Sequence, residues 1–148
     1  MKTRKTAREK LEKGEAEVKD TPKGKMLIPR PLDVDALMRK IERGKLATVA
    51  QIRERLARDC GADFACPMTA GIFMRIAAEA AEEDLRSGRK DITPYWRVLR
   101  PDGTLNEKFP GGVAAQATRL REEGHTIEAG KGTKPHRVVD FEKHLQKL

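Results

Sequence analysis

The chain has 148 residues, 38% hydrophobic and 36% charged, with a net charge of +8 and a pI near 9.7. That length allows one ordinary domain with a modest core, and the absence of any run of 18 apolar residues excludes a membrane-spanning helix. Cys60 and Cys66 form neither a disulfide framework nor a zinc-ligand set, which fits a reduced cytoplasmic setting with no cofactor.

Residues 1–31 hold ten Lys/Arg against five Asp/Glu, so +5 of the +8 lies on the N-terminal fifth. Residues 1–5 are basic without a following apolar signal core, so export is not expected. Residues 1–25 are Lys/Glu-rich, carry Gly14, Pro22 and Gly24, and hold almost no large apolar side chain. Such a segment buries too little surface to offset its ordering entropy, and it is expected to be a disordered basic arm on a folded domain of residues 26–148. Basic arms suit polyanions, nucleic acid first.

Residues 26–31 form an apolar, proline-punctuated lead-in expected to lie against the domain. Asp33 is a good N-cap, and Val34, Leu37, Met38 and Ile41 give one helical stripe ending at Gly44. Thr48 and Gln51 read as a capping box for a second helix with Val49, Ile52 and Leu56 inward. A third helix starts with Pro67 at its first position and runs to about Arg86. Its buried side is expected to hold Ile72, Phe73, Ile76, Ala77 and Ala80, and its other face Met68, Thr69, Arg75, Glu79 and Glu82. Two helices joined by a turn fit helix-turn-helix geometry, and the acidic C-terminal half of the second leaves only its N-terminal turns for phosphate-rich DNA.

Pro94-Tyr95-Trp96-Arg97 holds the only Tyr and the only Trp in a chain with 4% aromatics. Such a pair beside a permanently charged fork suits stacking on a flat ring; it equally suits plugging a core. Pro101-Asp102-Gly103 turns the chain towards residues 104–106, a candidate small hairpin. Pro110-Gly111-Gly112 opens a fourth helix with Val113, Ala117 and Leu120, closed by Gly124, and its glycines leave backbone N–H groups that can hold a phosphate or make a turn. Residues 126–128 and 137–141 are expected to pair across a loop, a basic wing with Lys131, Lys134, His136 and Arg137.

These blocks together resemble the C-terminal DNA-binding domain of the O6-alkylguanine-DNA alkyltransferases and their relatives, the alkyltransferase-like proteins. The resemblance runs from about Asp33 to Asp140. It rests on Ile41-Glu42-Arg43-Gly44-Lys45-Leu46-Ala47-Thr48-Val49-Ala50-Gln51-Ile52, Pro94-Tyr95-Trp96-Arg97-Val98, Asp102-Gly103-Thr104-Leu105, Pro110-Gly111-Gly112 and Leu120-Arg121-Glu122-Glu123-Gly124, in the family's order. It implies a mainly α fold with a small β-hairpin, a winged helix-turn-helix-like DNA-binding domain. The family's alkyl acceptor is a Cys activated by the next His, itself oriented by a Glu. Here Tyr95 takes the Cys place and Trp96 the His place, only Glu123 survives, and Ser87 falls near the supporting Asn. A phenol with a pKa near 10 and no adjacent base is a poor nucleophile, and indole is no base, so alkyl transfer is expected to be absent.

The family's base-displacing Arg falls on Gly71 when counted from Pro67 and on Arg75 when aligned on the Arg itself, because about six extra residues sit around 59–65. Its phosphate-rotating Tyr falls on Val49. The expected DNA- and base-binding residues are therefore Thr48, Met68, Thr69, Gly71, Arg75, Pro94, Tyr95, Trp96, Arg97, Gly111, Gly112 and Glu123. The reading that follows is a monomeric, non-enzymatic protein that binds double-stranded DNA, with alkylated guanine as the candidate lesion and a downstream repair protein as the candidate second partner. It would be cytoplasmic, and nucleoid-associated when bound. The alternatives are an interaction module whose aromatics have become core, and an enzyme with different chemistry on DNA in the same pocket.

Overall fold

Five alanines, Ala70, Ala77, Ala78, Ala80 and Ala81, lie buried along α4 (Pro67–Arg86), and their small side chains let other helices approach its axis closely. The structure, a computed structural model, describes residues 6–148. Against α4 pack α1 (Ala7–Leu11) and α2 (Pro31–Arg39). The buried stripe of α4 is Ala70, Met74, Ala77 and Ala81, so Ile72, expected inside, is 44% exposed, and Phe73 and Ile76 are only half-buried. Ala77 and Ala80 are buried as expected. The rotation follows from α1 and α2 seeking the small-residue side rather than the bulkier one.

The first 25 residues are not a disordered arm where the structure describes them; residues 1–5 lie outside the described part. Thr6 caps α1, Leu11 is fully buried, and the Glu83 carboxylate on α4 accepts from the Ala7 and Arg8 amides at 2.9 and 3.1 Å. Arg8 also pairs with Asp84. An acidic group at a helix N-terminus offsets both the free N–H groups and the macrodipole. Next, β1 (Glu17–Thr21) and β2 (Gly24–Ile28) form an antiparallel hairpin with Glu17 opposite Ile28. β2 pairs in parallel with β4 (Phe64–Ala65), which lies in the stretch that looked like an insertion. Lys25 and Asp63 exchange backbone and side-chain bonds at 2.8 Å, and the Cys66 amide donates to the Leu27 carbonyl. The lead-in at residues 26–31 therefore lies on the domain mainly as a strand, with Leu27 buried.

α2 begins three residues earlier than the N-cap reading, with Pro31 at its first position and Arg30 rather than Asp33 as cap, because proline presets the helical φ. The capping box forms as expected at α3 (Val49–Asp59), with Gln51 and Thr48 bonded reciprocally at 2.9 and 3.2 Å. Tyr95–Arg97 form one 3-10 turn, after which β5 (Val98–Leu99) pairs in parallel with β3 (Ala47–Thr48). The expected hairpin between residues 97–100 and 104–106 is replaced by a tight turn, in which Gly103 donates to Arg100 and Arg100 to Thr104. Thr104 bridges instead to Arg137. Gly103 has φ +84°, and a side chain there would overlap the Phe141 ring, so glycine is required. After α5 (Gly112–Glu122), β6 (Ile127–Glu128) and β7 (Arg137–Val138) pair antiparallel as expected. Among the described residues the architecture is mixed α/β, five α-helices with three small sheets, richer in strand than the expected mainly α fold. No described helix is long and apolar enough to cross a membrane.

Leu11→Ala should lower stability by about 3 kcal/mol in urea denaturation, the cost of emptying a buried leucine site. An unchanged midpoint would mean that the N-terminal helix is not part of the cooperative unit.

Candidate nucleic-acid interface

The first turn of α4 carries no acidic residue, and Pro67 and Met68 stand on the surface, Met68 at 75% exposure. Beside it lies a cleft of about 320 Å³ between α3, α4 and the loop after β5. Arg53 from α3, Arg75 from α4, and Arg100 and Lys108 from the loop line it, and no carboxylate does. Arg75 and Arg100 meet exposed glutamates only loosely, Glu79 at 3.7 Å and Glu107 at 3.5 Å. Exposed pairs of that kind contribute little and exchange easily for other anions. Gly71 and Arg75 both border this cleft one turn apart, so either register of the base-displacing position points into the same space. Nothing lies within 4 Å of where a Gly71 side chain would begin.

Tyr95 and Trp96 are elsewhere and inside, at 2% and 9% exposure. Tyr95 is enclosed, whereas Trp96 keeps an edge on two surface clefts, one with Arg39, Lys90, Pro94 and Arg97 and one with Arg43, Arg119 and Glu123. Their rings meet edge-on at 5.3 Å, Phe109 covers Tyr95 at 5.4 Å, and the Arg119 guanidinium lies 4.3 Å from the Trp96 centroid and 5.7 Å from that of Tyr95. The phenol donates to Glu82 at 2.5 Å, and Arg119 holds the same carboxylate oxygen at 2.9 Å. Burial, then the Glu82 carboxylate, push the Tyr95 pKa well above its ordinary value, so the phenolate nucleophile is disfavoured. Pro94 is buried beside them, and Thr93 before it donates to buried Asp35 at 2.6 Å.

Arg97 and Glu123, both expected at the DNA, are committed to each other. Glu123 accepts from Arg97 Nε and Nη2, from the Trp96 indole at 2.8 Å and from the Gly44 amide at 3.3 Å. Arg97 Nη1 donates to the Ile41 carbonyl at 2.6 Å, and the Arg97 and Glu123 side chains are only 13% and 4% exposed. Burial alone would raise the Glu123 pKa, but these donors outweigh it and hold the carboxyl below its usual range. Thr48 is a buried helix cap, and half-buried Thr69 donates to the Cys66 sulfur at 3.3 Å, which holds that thiol below its usual range. Gly111 and Gly112 have φ +79° and +69° and form the turn into α5, with the Gly112 amide donating to Phe109. Of the twelve expected residues, the structure therefore brings Met68, Gly71 and Arg75 together at the cleft and uses most of the others to build the interior.

Sequence reading missed Arg53, Arg100 and Lys108. Arg53 was findable as the polar residue one turn on from Val49, whereas the other two depend on how the loop folds back. It also missed Gln116, 1% exposed among apolar α5 residues, which donates to the Trp96 and Val98 carbonyls and accepts from the Asn106 amide. Lys131, Lys134 and Arg137 do border a second cleft of about 510 Å³ on the wing, but Asp102 and Glu128 share it.

Replacing Glu123 by Gln should cost about 3–5 kcal/mol, because Arg97 would be left charged and under-partnered in the interior. The depressed carboxyl contributes stability that is complete above pH 4.5 and is lost as pH falls through the folded value; in E123Q that acid limb should vanish from a plot of Tm against pH. Buried His125, lowered first by burial and then by His144, should remove stability below about pH 6.5 in both proteins. Gly71→Ala should raise Tm by about 2–4 °C, as an exposed mid-helix glycine costs about 1 kcal/mol.

No family model and no curated protein matches this chain. Two solved structures do: S. pombe Atl1 in complex with damaged DNA containing O6-carboxymethylguanine, and S. pombe ATL in complex with DNA. Each is 22% identical, covers 80% of this chain and 94% of its own, and superposes with a TM-score of 0.53. At that identity the likeness lies in the fold: this chain shares the architecture of those two proteins.

Proposed function

We infer that the protein binds double-stranded DNA as a monomeric, non-enzymatic protein of the alkyltransferase-like type, recognising alkylated guanine and passing the lesion to a downstream repair protein. In this reading α3 and α4 form the helix-turn-helix, β6 and β7 the wing, and the first turns of α4 meet the groove. The observation that carries it is the cleft of four cations with no carboxylate, placed where α4 is free of acid. The two S. pombe complexes with DNA support it through the shared fold. The absence of alkyl transfer is supported by the acceptor place itself, filled by a buried phenol hydrogen-bonded to Glu82 and followed by an indole that cannot act as base. The burial of Tyr95 and Trp96 favours a second reading, an interaction module that kept the fold and lost base recognition.

The two separate in a salt titration of duplexes with and without O6-alkylguanine. If the four cleft cations meet phosphates, log affinity should fall against log salt with a slope of about −4, roughly a hundredfold between about 50 and 200 mM. Arg53→Ala should reduce that slope by about one. No duplex binding at about 50 mM salt, where phosphate contacts are strongest, would favour the module.

A further inference from the structure

Met68 and Ile72, at 75% and 44% exposure, are large apolar side chains one turn apart on α4, and both border the cationic cleft. The other large exposed apolar groups among the described residues, Val18 and Leu85, lie on β1 and at the far end of α4. Gly71 leaves a notch beside this ridge, with open space where its side chain would stand. Apolar side chains of this shape, flanked by phosphate-binding cations, are what proteins insert between base pairs, unstacking a step and bending the duplex. Tyr95 is covered by Phe109 and the protein interior, and Arg119 lies over the Trp96 ring, so neither stands out from the surface as Met68 does.

We propose that Met68 is the wedge: it enters the base stack at the DNA face of α4, with Ile72 behind it and Gly71 admitting the strand. A step weakened by a mispaired or alkylated base opens at lower cost, so the wedge selects such steps. The occupant is a duplex because four cations bracket a two-residue ridge with no carboxylate in the cleft. The proposal rests on the DNA-binding reading above.

The test uses the full chain and a short duplex with 2-aminopurine beside a single O6-methylguanine, at about 50 mM salt. Wild-type protein should raise the 2-aminopurine emission several-fold as the step unstacks. Met68→Ala, at a surface position, should fold normally, lose that rise and bind about tenfold more weakly, the fold-change expected for removing a buried apolar side chain. Met68→Leu should keep the rise, and Arg53→Ala should keep it once saturated. If M68A retains the full rise, or if wild type binds with no rise, the wedge is wrong while DNA binding stands. If wild type ignores the duplex, the DNA reading and the wedge fall together, and retention by an acidic helical peptide would then give the ridge to a protein partner.

Discussion

One carboxylate joins three distant parts of the chain. Glu123, just past the end of α5, receives the Arg97 fork and the Trp96 indole from the 3-10 turn and an amide from the loop between α2 and β3. A buried ion pair is a weak source of net stability, since desolvating both charges costs nearly what their attraction returns. Its effect is geometric. With Arg97 fixed, Val98 and Leu99 follow into register with Ala47 and Thr48. Thr48 in turn caps α3, whose first turns supply Val49 and Arg53 to the cleft. The polar knot inside therefore sets one wall of the cationic surface outside.

A second set of polar groups does the same for the aromatic pair. Glu82 on α4 holds both the Tyr95 phenol and Arg119, Gln116 spans the Trp96 and Val98 carbonyls, and Asp35 on α2 takes Thr93 and, at 2.9 Å, Arg39. Each ring thus has its polar handle bonded, which is the condition for a large amphipathic side chain to sit largely inside. The chemistry that the resemblance associates with this place needs an exposed, activatable nucleophile. A phenol whose proton is held by a carboxylate is the reverse of that.

The parts legible in the sequence were those that local chemistry decides. The Thr48–Gln51 capping box, Pro67 at the head of α4, the Gly111–Gly112 turn and the β6–β7 pair all depend on residues within a few positions of one another. What failed depends on partners far along the chain. Leu11 is an isolated apolar residue in polar surroundings, and nothing near it says that it is buried; Leu27 sits in a short apolar run that announces packing but not the strand it packs with. Their partners are α4 and β4, more than thirty residues away, with Glu83 capping a helix 76 positions earlier. The residue types of Tyr95 and Trp96 admitted either a surface or a core; Phe109 in the loop before α5, and Gln116 and Arg119 on α5, decided it. The cationic cleft was hidden for the same reason, being assembled from three segments that each look unremarkable.

The same sorting bears on specificity. With the aromatic groups largely inside, the proposed recognition would rest on what remains on the surface, a set of cations with a short apolar ridge. Cations alone read the phosphate backbone and give affinity without sequence or lesion preference. On the proposed reading, discrimination would be carried by deformation, the difference in cost between opening a well-stacked step and a damaged one. An exposed methionine at the head of a helix is flexible enough to follow either, and apolar enough to gain only where it is buried. The exposed Gly71 fits the same proposal: it weakens the helix locally, yet it leaves open the space beside Met68 that a bound strand would need.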